Sequence, residues 1–287
     1  MNMLRTAPLA LATKRRWTAR HIADAAVRAL CEEALLTPKP ALVDRRGSGA
    51  HRDMDLPMLL RSALTLRMTF EKIARCASTL QLGTALRRRL AEIGLDGERD
   101  MLAATGGVNT HRGAIWSLGL LCAARAALGE TNSADALCDY AGRIARLPHA
   151  APAELSHGLA MLQRFGTRGA RGEAEGGFPN VRMLALAVLR GSRARGLDER
   201  HAQLETLLSL MTQVDDTCLL YRGGDAALQV ARDGARCVLD AGIGTPNGNA
   251  ALQALDRRLI DLGASPGGSA DLLATTLLLD RFVAEDH

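Results

Sequence analysis

Apolar residues recur at helical spacing along the whole chain. Ile22, Ala26, Val27, Leu30 and Ala34 make one stripe, and Pro38 and Pro40 end that helix because proline lacks the amide donor and clashes with the preceding turn. Pro57 opens a long helix in which Leu60, Ala63, Leu64, Met68 and Ile73 share a face. The same periodicity predicts helices over about 84–104, 113–128, 133–146, 153–164, 179–193, 198–213, 225–241, 248–262 and 269–284. Alternating strand patterns bounded by hairpin turns are absent. The expected fold is all-α: one multi-helix globular domain over 19–287 after a loosely ordered tail over 1–18, with the active site built from connections between helices.

Composition agrees with that picture. Aromatics are 3% of the residues while hydrophobics are 47%, so the core is built from Leu, Ala, Val and Met, mostly good helix formers. Cys31, Cys76, Cys122, Cys138, Cys218 and Cys237 form no C-x-x-C pair and read as small buried hydrophobes in a reducing compartment. Pro8–Ala12 precedes the basic cluster Lys14, Arg15 and Arg16, the reverse of a secretory signal, and no apolar run reaches membrane-span length. A soluble, cytoplasmic protein is expected. The formal charge is +5, and lysine occurs only at Lys14, Lys39 and Lys72, so arginine dominates the cations. Arginine is the better bidentate phosphate ligand, although a genomic composition bias gives the same excess. The basic residues are interspersed with acids and lack interleaved aromatics, which argues against nucleic-acid binding.

Five connections hold the candidate chemistry. The first, 38–55, carries Lys39 between two prolines, Asp44, Arg45, a Gly-Ser-Gly turn around Ser48, His51, Asp53 and Asp55. Lys39 suits a phosphate; Asp53 and Asp55 suit Mg²⁺ held through water, or Asp55 caps the Pro57 helix. No P-loop string is present. In the second, 105–113, Gly106 and Gly107 let backbone amides approach an anion. Asn109 and Thr110 suit a phosphate or sugar hydroxyl there, and His111 and Arg112 supply proton transfer and charge. Trp116, inside an apolar helix, reads as core, and Glu98 is placed to reach this connection from the preceding helix. The third, 166–182, mixes glycines with arginines, Glu173 and Glu175; it suits a mobile flap that closes over an anion and is anchored by Phe178-Pro179 before Arg182. The fourth, 215–224, sets Asp215 and Asp216 ahead of Arg222, Gly223 and Gly224. Adjacent acids on a helix diverge, so one faces a site and the other caps or is solvated. The fifth runs through Ser265, Gly267, Gly268 and Asp271, where Asp271 either complements its own helix dipole or faces the other connections.

Taken in order, these segments resemble the triphosphoribosyl-dephospho-coenzyme A synthase family. The resemblance spans about residues 20–283. It rests on Lys-Pro-x-Leu-Val-Asp with Gly-Ala-His-x-Asp-Met-Asp, Gly-Val-Asn-Thr-His-x-Gly-Ala, Gly-Gly-Phe-Pro, Arg-Gly-Gly and Ser-Pro-Gly-Gly-x-Ala-Asp. The form Asp-Asp-Thr-Cys-Leu-Leu at 215–220 is similar to the malonate decarboxylase branch rather than the citrate lyase branch. Two positions depart from the family: Ala41 stands where a glycine is common, and Tyr221 where a histidine often precedes Arg-Gly-Gly. The resemblance implies that the 2′-hydroxyl of 3′-dephospho-coenzyme A displaces adenine from ATP. The product is the precursor of a prosthetic group that a separate transferase attaches to an acyl carrier protein. It further implies Mg²⁺, with Lys39, Arg45, Arg112, Arg182 and Arg222 neutralising two polyanions. Asp53, Asp55, Asp216 and Asp271 would serve the metal or an oxocarbenium-like state, and His51 or His111 would carry the proton. Asp44, Ser48, Asn109, Thr110, Gly223, Gly224, Ser265, Gly267 and Gly268 complete the expected substrate-binding set. The competing readings are an N-ribosyl hydrolase, in which water replaces the hydroxyl, and a nucleotide-binding scaffold without turnover.

Overall fold

The computed structural model describes residues 17–129, 131–148, 167 and 169–284, and among them every regular element is helical. α1 (Ala19–Leu35) begins where Thr18 Oγ1 accepts from the His21 amide, and it buries the predicted stripe. The helix expected to run on from Pro57 is two. α2 (Leu56–Thr65) and α3 (Arg67–Thr79) meet at Leu66, whose ψ of −6° bends the axis so that both helices bury their faces against α1. α4 (Thr84–Ala104), α5 (Arg112–Leu128) and α6 (Ala134–Arg146) follow the periodicity. The helix expected over 153–164 lies outside the described residues, as does nearly all of the expected N-terminal tail.

From residue 169 onward, the segment expected to form a mobile flap is largely helical. α7 (Gly169–Glu175) packs against α5 and α6 and buries Ala174 and Phe178 completely. Glu173 accounts for the order: its carboxylate accepts from the Asn180 amide and side chain, both at 2.8 Å, and so caps the π-helical turn Asn180–Ala185 that leads into α8 (Leu186–Ala194). Phe178 holds a left-handed φ of 56° between these elements, where its buried ring compensates the backbone strain.

α9 (Glu199–Gln213) starts at the Asp198 cap, and α10 (Thr217–Ala241) starts eight residues before the periodicity predicts, because Asp216 caps it. The break falls later, at Gly224, whose φ of 65° and ψ of −161° kink α10. α11 (Pro246–Asp261) packs back along α10, and α12 (Gly267–Val283) returns to the centre beside α5. α5 and α12 are buried nearly all round, which makes them the axis of the core, while α1, α3, α6 and α9 cover them. No helix among the described residues is long and apolar enough to cross a membrane. All six cysteines are free thiols, but only Cys122 and Cys138 are buried; Cys31, Cys76 and Cys218 are half-buried and Cys237 is exposed.

Ala41 shows what its departure from glycine means physically. It is fully buried with a left-handed φ of 56°, and its amide donates to Asp256 Oδ1 at 2.7 Å. A β-carbon in that conformation is strained, so glycine fits the turn without penalty. The neighbouring Gly49, φ 57°, has no such latitude, because a Cβ there would strike the Ala41 carbonyl.

Candidate active site

Connections 38–55, 105–113, 215–224 and 264–271 meet around the N-termini of α5, α10 and α12, and of the third only Gly169 reaches them, against Thr217. At the centre, His111 precedes α5 and is buried. Its Nδ1 lies 2.7 Å from Ser62 Oγ, which lies 2.6 Å from Thr110 Oγ1, and its amide meets the Met101 sulfur. No hydrogen bond engages Nε2 among the described residues. Burial, with Lys39 nearby, lowers its pKa to about 4, so the ring is neutral at pH 7.

Asp271 lies over the first turn of α5. α12 begins at Gly267, so Asp271 sits in its second turn and does not complement that helix's own first turn. Its carboxylate fills the space over Gly113, where a Cβ would collide with Oδ2. No side-chain hydrogen bond reaches it among the described residues, and burial, with Glu33 and Asp216 near, raises its pKa well above the carboxylate range. The environment therefore drives the two groups apart, toward a neutral acid and a neutral base.

Lys39 is not a free phosphate ligand. It is 1% exposed, and its Nζ donates to Glu33 Oε1 at 2.6 Å and the Glu33 carbonyl at 2.7 Å. Glu33 escaped sequence reading, although an acid on the buried face of α1 beside Leu30 and Ala34 was the available signal. Asp44 likewise serves the connection itself, accepting from the Lys39 and Arg46 amides and from the Arg46 guanidinium. Asp256, also missed, holds Arg46 and the Ala41 amide. Arg45 is exposed and Ser48 half-buried.

Asp216 corrects a larger expectation. It is 1% exposed, and its Oδ1 accepts from the amides of Cys218 at 2.9 Å, Leu219 at 3.4 Å and Gly268 at 3.1 Å. Its Oδ2 accepts from the Ser269 amide at 2.7 Å and hydroxyl at 2.9 Å. Five protein donors saturate this carboxylate, leaving no lone pair for a metal or a sugar cation. It clamps the start of α12 to the start of α10. Burial raises its pKa against the pull of those donors. Asp215 is spent on Arg232 at 2.6 Å.

A second polar group joins three connections. His51 Nε2 lies 2.8 Å from Ser265 Oγ, Nδ1 lies 3.2 Å from Arg222 Nη2, and Asp53 stands 3.8 Å from Nδ1. Because arginine only donates, Nδ1 accepts and Nε2 carries the proton toward Ser265. His51 thus has no spare lone pair for base catalysis. Burial and then Arg222 lower its pKa to about 4. Gly267 and Gly268 pack on Cys218 and Asp216, Gly223 on Ala227, and Gly169 of α7 abuts Thr217 of α10.

The remaining candidates are engaged locally. Asp55 Oδ1 caps α2 through the Met58 amide at 2.8 Å. Asn109 accepts from the Arg112 amide, and Arg112 pairs with Glu98 as foreseen. Gly106 and Gly107, with φ of 66° and 91°, terminate α4; the Gly107 amide donates to the Leu102 carbonyl rather than to a ligand. Arg182 binds Asp139 at 2.9 Å and Asp135 at 3.4 Å on α6. Among the described residues no three His, Cys, Asp or Glu side chains are grouped to hold a metal ion.

Both histidines link stability to pH. Below about pH 6.5 the unfolded chain takes up protons that buried His51 and His111 refuse until about pH 4, so stability falls as pH drops through that window. Replacing either by glutamine is expected to flatten the loss between pH 7 and 5 by about 1–2 kcal/mol in urea titrations. An unchanged slope would contradict the neutral, buried rings.

An all-α body whose inter-helix connections gather an acid, a base and arginines is that of a group-transfer enzyme. The family model for ATP:dephospho-CoA triphosphoribosyl transferase (CitG) matches residues 19–286, and the chain belongs to this family of transferases. A Klebsiella pneumoniae protein named 2-(5''-triphosphoribosyl)-3'-dephosphocoenzyme-A synthase is 48% identical over 281 residues, covering 97% of this chain and 99% of its own. Proteins named as probable synthases of the same kind are 52% identical: one from Pseudomonas fluorescens, covering 93% of each chain, and one from Azotobacter vinelandii, covering 92% of this chain and 91% of its own. No solved structure gives a significant match.

Proposed function

We propose that this chain joins ATP and 3′-dephospho-coenzyme A into 2′-(5″-triphosphoribosyl)-3′-dephospho-coenzyme A and adenine. The observation that supports the mechanism is the geometry at the start of α5, where buried His111 has Nδ1 against Ser62 and the Asp271 carboxylate lies over Gly113. His111 Nε2 accepts the proton of the incoming 2′-hydroxyl, with Nδ1–H donated to Ser62 Oγ and the Ser62 proton passed toward Thr110 Oγ1. The hydroxyl oxygen bonds to C1 of the ATP ribose as the bond from C1 to adenine breaks. Asp271, in the role of general acid, gives its proton to a ring nitrogen of the departing adenine, and solvent returns the proton from His111 to Asp271. The triphosphate stays intact.

Mg²⁺ enters in this reading with the ATP phosphates as part of the substrate, where its charge offsets theirs; the exposure of Asp53 supports it as the carboxylate that would meet the ion. Arg45, Arg112 and Arg222 supply further positive charge. The Asp-Asp-Thr-Cys-Leu-Leu segment supports service to malonate decarboxylase, with the product passed in the cytoplasm to a transferase acting on an acyl carrier protein. The test is mass spectrometry of a reaction with ATP, Mg²⁺ and dephospho-coenzyme A. A product heavier by triphosphoribose with equimolar adenine is expected. Adenine release without dephospho-coenzyme A would mark an N-ribosyl hydrolase instead, and stable binding of both nucleotides without turnover would mark a scaffold.

A further inference from the structure

Arg87 of α4 is half-buried, and its guanidinium carbon lies 4.8 Å from the centroid of the Trp116 ring on α5. The half-buried arginines Arg67, Arg112, Arg182, Arg193, Arg232 and Arg281 each lie against a carboxylate. Arg87 has none within ion-pair distance among the described residues. Its Nε and the Trp116 Nε1 are buried donors without an acceptor, and so is Nε of Arg112, one helical turn before Trp116 on the same face. Burial and the nearby Arg171 of α7 depress the Arg87 pKa. Glu175, the acid in this neighbourhood, is bound by Arg171 Nε at 2.8 Å, and Arg146 of α6 donates to its carbonyl. α7 in turn begins against Thr217, next to the Asp216 clamp, so this cluster adjoins the site around His111.

A planar cation that is stacked in place, unpaired and surrounded by donors matches a phosphate oxygen pair in both charge and geometry. We infer that Arg87, laid on Trp116 and flanked by Arg112 and Arg171, is a binding subsite for a phosphate group of a polyphosphate chain. This rests on the proposed reaction only in where the phosphate comes from: the triphosphate of ATP or the diphosphate of dephospho-coenzyme A. Trp116 is thereby a stacking platform as well as a core residue.

The experiment titrates inorganic triphosphate and pyrophosphate against the full chain carrying Trp17→Phe, so that Trp116 fluorescence reports alone. Saturable binding is expected, weakened at least tenfold by Arg87→Met, which keeps the apolar stem on the ring, while the melting temperature stays within a few degrees. In steady state the KM for one substrate rises at least tenfold with kcat within threefold, and the substrate affected identifies the source of the phosphate. Should Arg87→Met fail to fold, Arg87→Lys, which keeps the charge but not the two-pronged contact, is expected to weaken binding at least threefold. Absence of saturable binding, or wild-type affinity and KM values in the folded variant, overturns the subsite. If the unmodified chain makes no triphosphoribosyl product yet Arg87→Met still loses the anion, the proposed reaction falls and the subsite stands.

Discussion

Asp271→Asn is expected to slow adenine release about 10²- to 10⁴-fold, with KM for both substrates little changed, in a protein that folds at least as well as the wild type. Asparagine keeps the shape that fits over Gly113 and can still donate a hydrogen bond, but it cannot surrender a proton to a leaving purine. The stability half of the expectation follows from linkage. A carboxyl whose folded pKa is raised well above its unfolded value loses stability as pH climbs from the unfolded pKa toward the folded one. Removing the titration should therefore make the variant more stable than wild type at pH 7, with the difference fading near pH 4. Urea titrations at the two pH values and a steady-state adenine assay check both halves. A variant that is destabilised at pH 7, or that keeps near-wild-type kcat, would remove Asp271 from the acid role.

Asp216→Ala should behave in the opposite way, losing about 3–5 kcal/mol of stability and activity along with it. The estimate combines the lost N-cap of α10, typically about 1 kcal/mol, with the burial of the Ser269 and Gly268 donors without acceptors, at about 1–3 kcal/mol each, partly offset by relief of the buried carboxylate's own desolvation. Against a total stability of roughly 5–15 kcal/mol such a loss is large, and it should show as a lowered urea midpoint. Because this clamp sets α12 on α10, the variant should also misplace Asp271 and Ser265. An Asp216→Ala protein that is as stable as wild type but inactive would return this carboxylate to the chemistry.

The two aspartates show how far the chain could be read before it was folded. Local rules identified both as special: one before an apolar helix, the other after a Ser-Pro-Gly-Gly turn. They could not say which is saturated, since three of the five donors on Asp216 come from residues 52 and 53 positions away. His51 and His111 illustrate the same limit. Each looked fit for proton transfer, and only the packing of Arg222 and Ser265 around one, and of Ser62 behind the other, separates a ring with both nitrogens occupied from a ring with Nε2 open. Arg87 and Glu33 drew no notice because an arginine or a glutamate on a helix is ordinarily a surface charge; their burial is a property of the neighbouring helices.

What the amino-acid order determined alone was the all-helical class, most helix spans, and the five polar, glycine-rich connections between them. Helical periodicity, proline and glycine act within a few residues, and so they are visible in one dimension. The tertiary structure decided the split at Leu66, the ordering of α7 by Glu173, the early start of α10 at Asp216, and the division of the polar residues into clamps and open groups. Those outcomes depend on desolvation and on hydrogen-bond partners brought from distant parts of the chain, terms that have no value until the helices have packed.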